Sequence, residues 1–79
     1  MPATLEEVQQ IVQDEFPGSE VDGIREEDHR ILGTIVWKGF KGQDISERSH
    51  LITAKVRDRL GLKGLNVGVL FPLAPGEKL

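Results

Sequence analysis

The segment GFKGQDISERSHLI, residues 39–52, decides the fold because it joins an apolar run to an amphipathic one. Asp44 followed three residues later by Glu47 is typical of a capping box at a helix start. The apolar positions beyond it recur at helical spacing and end at a glycine: Ile45, Ile52, Val56, Leu60 and Gly61. The segment therefore predicts a strand-to-helix turn, with Gly39–Gly42 as its loop.

Two strands are predicted before this turn. The run RILGTIVW, residues 30–37, has β-branched and apolar residues at both odd and even positions, which is typical of a strand buried on both faces, or nearly so. Val21 and Ile24 indicate a weaker strand over Ser19–Arg25, and the polar residues 26–29 form the turn between the two strands.

The ends of the chain supply one more helix and one more strand. Thr4 and Glu7 form a second capping box, which predicts a helix over Leu5–Glu15 that stops at Pro17. In LNVGVLF, residues 65–71, apolar residues alternate, which predicts a strand with Leu65, Val67, Val69 and Phe71 on its buried face. The prolines at 72 and 75 predict an irregular tail.

The element order predicts the topology of a single domain over residues 1–79. The first two strands are joined by a short turn and should be antiparallel, whereas the second and third are joined by a helix and should be parallel. Both helices then cover one face of a three-stranded mixed sheet. This α-β-β-α-β arrangement is an α+β two-layer sandwich of the type II KH-like kind, and we expect Phe40, Ile52, Val56, Val67 and Val69 in its core.

Composition narrows the classes of function. The 79 residues include no cysteine, so the chain has no thiolate nucleophile and no disulfide framework. No apolar run approaches the roughly 20 residues of a membrane span, and a cytoplasmic protein without membrane contact is predicted. Ser46 and Ser49 fall at a helix start without a nucleophilic partner, so we expect no enzyme.

Charge is unevenly distributed along the chain. Residues 1–37 carry nine acidic side chains against two basic ones, and residues 38–63 carry seven basic against three acidic. The basic half suggests a nucleic-acid-binding alternative through Lys38, Lys41, Lys55, Arg59 and Lys63. The sequences GFKG and GLKG match the G-x-x-G of a KH loop, but such a loop lies between two helices. GFKG instead follows a strand, and GLKG is explained by a helix end and the turn into the last strand. Trp37 is expected at the rim of the core rather than stacked on a base.

Several segments together resemble the BolA family. Thr34, Ile35 and Val36 match its strand T-I-V-S, and Phe40 with Gly42 matches its F-x-G. Arg48, Leu51 and Ile52 then fall at the spacing of the family's R-H-x-L-V. FPGSEV at residues 16–21 and PLAPGE at residues 72–77 are similar to the family's L-P-G-A-x-V and A-L-T-P-E-E. The likeness thus covers nearly the whole chain, in order.

The resemblance implies a non-enzymatic partner of a monothiol glutaredoxin in iron-sulfur trafficking or iron regulation, and some family members have been linked to DNA binding. In the family a [2Fe–2S] cluster is shared between the partners, with imidazole replacing thiolate on one iron. A domain of this kind binds no cofactor alone, and we expect a monomer or weak homodimer. We predict a partner surface that combines the Gly39–Arg48 loop and helix start with the Asn66 end of the last strand. Its partner-binding residues are Phe40, Gly42, Arg48 and Asn66.

The chain departs from the family at the histidines that would bind the cluster. Asn66 stands where the family has a histidine at the last strand, and Ser49 stands at the histidine of R-H. His29 lies one residue before the family's loop ligand, where Arg30 stands. His29 and His50 are therefore the candidate metal ligands; the alternatives are a solvated turn residue and a histidine at the core boundary. For Arg48 the alternative is a surface ion pair with Asp44 or Glu47.

Overall fold

The computed structural model describes residues 3–77 and has the predicted order α-β-β-α-β. The five elements are α1 (Leu5–Glu15), β1 (Glu20–Glu27), β2 (Arg30–Val36), α2 (Ile45–Leu60) and β3 (Val67–Leu73). Short 3-10 helices occupy Lys38–Phe40 and Gly61–Asn66. The predicted domain limits, residues 1 and 79, lie outside the described range. None of the helices within residues 3–77 is long and apolar enough to cross a membrane.

The caps that define both helices are those predicted. Thr4 accepts from the backbone N–H of Glu7, and Asp44 accepts from that of Glu47, with both capping boxes complete. Gly61 ends α2 with φ of 56°, a backbone conformation that favours glycine. Local sequence is sufficient to place these helix ends because every group in a cap lies within a few residues of it.

The sheet has the order β1-β2-β3, with β1 antiparallel and β3 parallel to β2. The β1–β2 turn is a two-residue hairpin in which both Asp28 and His29 have positive φ, the geometry of a type I′ turn. It extends β1 to Glu27, two residues beyond the prediction. Pro72 does not end β3, because an edge strand leaves part of its hydrogen-bonding capacity unused and so tolerates a proline.

One apolar core lies between the sheet and the two helices. Ile31 and Ile35 of β2 are completely buried, as are Val8 and Val12 of α1, and α2 contributes Ile52 and Val56. The remaining positions of β2, from Leu32 to Val36, are half-buried. The sequence predicts a strand buried on both faces, or nearly so; β2 has its fully buried residues on the face covered by the helices and is half-buried on the other.

The buried face of β3 also differs from the prediction. Val69 is 66% exposed and Leu65 is 81% exposed, whereas Leu70 is 7% exposed and belongs to the core. The cause is a bulge: Ile31 pairs with Val67 but Gly33 pairs with Leu70, so β3 has one extra residue in this interval. Because an extra residue inverts the alternation, Leu70 replaces Val69 on the buried face. Val67 is half-buried, and Leu65 lies before the strand.

Candidate partner-binding surface

Arg48, predicted at the surface, lies in the interior and is only 5% exposed. Its Nη1 and Nη2 donate to the two carboxylate oxygens of Glu77 at 2.6 and 3.0 Å. Its Nε donates to the carbonyl of Gln43 at 2.9 Å, and Nη1 also reaches the carbonyl of Pro72. The predicted alternative, an ion pair with Asp44 or Glu47, is therefore wrong. Arg48 joins the start of α2 to the segment after β3.

Glu77 completes this connection and gives it a pH dependence. The hydrogen bond from Arg48, and then the backbone N–H of Ala74, lower the pKa of Glu77 from 4.5 to about 2. The bound carboxylate stabilises the fold fully above pH 4.5, and this contribution is lost as the pH falls toward 2. A hydrogen bond from Lys63 also lowers the pKa of Glu7. A hydrogen bond from Gln10 lowers the pKa of Asp14.

We expect stability to fall between about pH 5 and about pH 2, and part of this fall to disappear in Glu77→Gln. The amide cannot titrate, so the variant is less stable than the wild type near neutral pH and approaches it in acid. Urea unfolding at a series of pH values measures the effect. Glu26→Gln is the matched control, because it is the same change at an exposed glutamate of β1. Equal pH dependence in wild type and Glu77→Gln would contradict the assignment.

Phe40 and Gly42, the predicted F-x-G, have different environments. Phe40 is completely buried, with its ring centre 5.1 Å from that of Trp37 and 5.7 Å from that of Phe16. Trp37 lies at the core rim, as predicted, and its Nε1 donates to the carbonyl of Pro17. Gly42 is exposed with φ of 87°, a conformation that favours glycine. The motif therefore builds the β2–α2 connection.

Asn66 is occupied by the chain's own N-terminal segment. Its side-chain Oδ1 accepts from the backbone N–H of Ala3 at 3.1 Å, and its Nδ2 donates to the carbonyl of Ala3 at 3.0 Å. The same N–H of Ala3 also donates to the carbonyl of Lys63. A side-chain amide can satisfy both the donor and the acceptor of a peptide unit in this way. Asn66 thus anchors the approach to α1.

The basic residues predicted to bind nucleic acid divide into two groups. Lys55 pairs with Glu15, Arg59 pairs with both Asp14 and Glu15, and Lys63 pairs with Glu7. Acids of α1 therefore face cations of α2 and of the 3-10 helix that follows it. Lys38 and Lys41 lie exposed at the β2–α2 connection, and within residues 3–77 they form no ion pair.

The two histidines are exposed and lie on separate elements. His29 is at the tip of the β1–β2 hairpin, and His50 is in the second turn of α2. Across residues 3–77 neither belongs to a group of three or more side chains placed to hold a metal. His29 has φ of 63°, and histidine is among the residues that adopt this conformation more readily than most. The hairpin geometry gives His29 a local role independent of any ligand.

An apolar groove of about 770 Å³ lies between α2, the 3-10 helix Gly61–Asn66 and β3; we call it the β3 groove. Ile52, Val56 and Leu70 line its buried side. Its exposed apolar side chains are Leu62 at 84%, Leu65 at 81% and Val69 at 66%. Contiguous exposed apolar surface of this kind marks interaction sites. Sequence reasoning missed this surface because it assigned Leu65 and Val69 to the core.

No protein-family model matches the chain, and no curated protein matches it in sequence.

Proposed function

We propose that this protein is a non-enzymatic adaptor of the BolA type that binds a monothiol glutaredoxin in iron-sulfur trafficking or iron regulation. The observation that carries the proposal is the β3 groove, which is lined by the exposed apolar side chains of Leu62, Leu65 and Val69. Placing large apolar side chains in water costs free energy that binding of a partner recovers.

The position of the groove supports a partner of this family. The resemblance to BolA proteins implies a partner surface at the start of the last strand, where Asn66 stands. Leu65 immediately precedes Asn66, and Val69 follows it three residues later. Arg48, Phe40 and Asn66 are already engaged within the fold, so the groove, rather than these side chains, supplies the contact area.

Cluster ligation is the narrower part of the proposal. The amide of Asn66 is bound to Ala3, and an amide is a poor ligand for a cluster iron. An imidazole from this chain would come from His29, exposed on the hairpin, or from His50 on α2. We propose that this protein binds the glutaredoxin even without a cluster. We further propose that the two proteins can share a [2Fe–2S] cluster, and that this sharing requires His29.

Calorimetry with a cluster-free monothiol glutaredoxin tests whether the two proteins bind each other without a cluster. Leu65→Ser should weaken binding about tenfold or more, because an exposed apolar contact is lost from the interface. Ile45→Ser is the matched control, since Ile45 is 50% exposed but lies outside the groove. Equal losses in the two variants, or no binding by the wild type with or without cluster, would refute the proposal.

Visible circular dichroism of a cluster-loaded glutaredoxin tests whether this protein shares the [2Fe–2S] cluster. If His29 is a ligand, mixing with the wild type changes the spectrum and mixing with His29→Gly does not. Glycine is the appropriate replacement because it accepts the positive φ of the hairpin turn without strain. An unchanged wild-type spectrum, with binding still detected, would leave an adaptor without ligation.

Nucleic-acid binding is the competing hypothesis, favoured by Lys38 and Lys41, which form no ion pair within residues 3–77. Pairing of Lys55, Arg59 and Lys63 with acids of α1 reduces the positive field that phosphates would meet. Fluorescence anisotropy with single-stranded RNA and duplex DNA at low salt tests it. Binding that falls steeply with salt, and that is lost in Lys38→Glu with Lys41→Glu, would favour this hypothesis.

A further inference from the structure

The two edges of the sheet differ in how they are protected from pairing. β1 is rich in charged residues, among them Glu20, Asp22 and Glu26, and it is interrupted by a bulge between Asp22 and Arg25. Charges and bulges are the usual devices that prevent another strand from pairing with an edge. β3 also has a bulge, between Val67 and Leu70, but its sequence VGVLFPL contains no charged residue. Within residues 3–77 it pairs with β2 on one side and with no strand on the other.

The uncharged edge of β3 adjoins the β3 groove. Gly68, Val69 and Leu70 belong to the strand and also line the groove. A segment that paired with this edge would therefore have its backbone beside β3 and side chains at alternate positions over apolar surface. Pro72 supplies no N–H, so the pairing length is limited to about four residues before it.

One charged side chain lines the groove, that of Arg57. The other cations of α2 are paired: Arg48 with Glu77, and Lys55 and Arg59 with acids of α1. Arg57 is exposed and, among the described residues, forms no ion pair. A carboxylate on an incoming segment would complete a charge-assisted hydrogen bond with this guanidinium.

We infer that the edge of β3 accepts an extended segment of a partner as a fourth strand, with apolar side chains in the groove and a carboxylate on Arg57. The inference rests on the proposed adaptor function and specifies how the partner is bound. Charge complementarity favours a partner over a second copy, because β3 of a second copy brings no carboxylate to Arg57. The acidic strand β1 of a second copy has its own bulge between Asp22 and Arg25, which interrupts the residues that could pair with β3.

Selection from a displayed library of random peptides of about twelve residues tests the inference. The wild type should enrich peptides that alternate apolar residues and carry Asp or Glu. Val69→Lys is the counter-selection: Val69 is 66% exposed, so the variant retains the fold while placing a charge on the edge. Equal enrichment by the wild type and Val69→Lys would overturn the inference.

A charge exchange tests the role of Arg57 with one selected peptide. Arg57→Glu should weaken binding about tenfold or more, and a peptide with Lys in place of its acidic residue should regain it. Arg30→Glu is the matched control, because Arg30 is an exposed arginine on β2 that lies outside the groove. Equal weakening by Arg57→Glu and Arg30→Glu would remove the specific role of Arg57 and overturn the inference.

Backbone pairing with β3 has its own signature in the same complex. Amide shifts in nuclear magnetic resonance should be largest at residues 68–70, and N-methylation of the pairing peptide amides should abolish binding. Methylation removes the N–H donors that a fourth strand would present to β3. Undiminished binding of the methylated peptide would refute strand addition.

The outcomes separate this inference from the proposed function. Glutaredoxin binding that is unaffected by Arg57→Glu and by Val69→Lys refutes the fourth-strand inference alone. Selected acidic peptides that bind while no glutaredoxin does refute the proposed function alone. Concentration-dependent dimers in sedimentation, broken by Val69→Lys, would assign the edge to a second copy and overturn the inference.

Discussion

Phe40→Ala is expected to lower the free energy of unfolding by about 3–5 kcal/mol, a large share of the stability of a domain this small. The ring is completely buried and contacts the rings of Phe16 and Trp37. The guanidinium carbon of Arg48 also lies 6.0 Å from its centre, within the range of a cation–π contact. Truncation therefore leaves a cavity and removes support from Arg48.

Urea unfolding followed by the fluorescence of Trp37, the single tryptophan, measures this loss directly. Phe71→Ala is the matched control, because Phe71 is the same residue type but is only half-buried on β3. We expect the control to lose clearly less stability. Equal losses in the two variants would show that the aromatic cluster is not the main support of the β2–α2 connection.

Leu70→Ala is expected to cost about 2–4 kcal/mol, whereas Val69→Ala should change stability by no more than about 0.5 kcal/mol. Leu70 is 7% exposed in the core, and Val69 is 66% exposed beside the groove. Comparing Leu70→Ala with Val69→Ala thus tests whether the bulge of β3 buries Leu70 instead of Val69. A regular strand would give the opposite order, with Val69→Ala the more damaging change.

Thermal or urea unfolding of both variants decides between the two registers. The same variants have a second use in the binding experiments, because Val69→Ala should weaken partner binding without affecting the fold. Loss of stability in Val69→Ala would contradict the bulge and would move Val69 from the partner surface into the core.

Many of the charged side chains form ion pairs within the chain, and this limits the charge that remains for binding. Acids of α1 form ion pairs with cations of α2, with Arg59 contacting both Asp14 and Glu15. Exposed pairs of this kind are worth little individually, but they reduce the basic surface that remains for other anions. The exposed cations that form no pair within residues 3–77 are then the ones of interest for binding, among them Arg57 at the groove.

The bidentate ion pair of Arg48 and Glu77 likewise stabilises the fold, because it holds the segment after β3 against α2. Residues 74–77 carry no regular strand or helix, yet Glu77 holds both Arg48 and the N–H of Ala74. The sequence predicts that Arg48 faces a partner, because it falls at the family's spacing and a guanidinium can bind a carboxylate in paired geometry. Its partner is instead supplied from 29 residues further along the chain.

Local features are readable from the sequence alone because their physical causes lie within a few residues. The two capping boxes at Thr4 and Asp44 and the positive φ of Gly61 define the ends of the helices. The element order and the short connection between β1 and β2 are enough to predict a mixed three-stranded sheet. The positions of Phe40, Ile52 and Val56 in the core follow from the same patterns.

What only the tertiary structure decided depends on groups far apart in sequence. The bulge in β3 is defined by its pairing with β2, and it inverts the burial of Val69 and Leu70 although the alternation of LNVGVLF is regular. The partners of Arg48 and Asn66, Glu77 and Ala3, lie 29 and 63 residues away. Which residues of β3 are buried and which are exposed is set by this long-range pairing, because one extra residue in a strand exchanges its two faces.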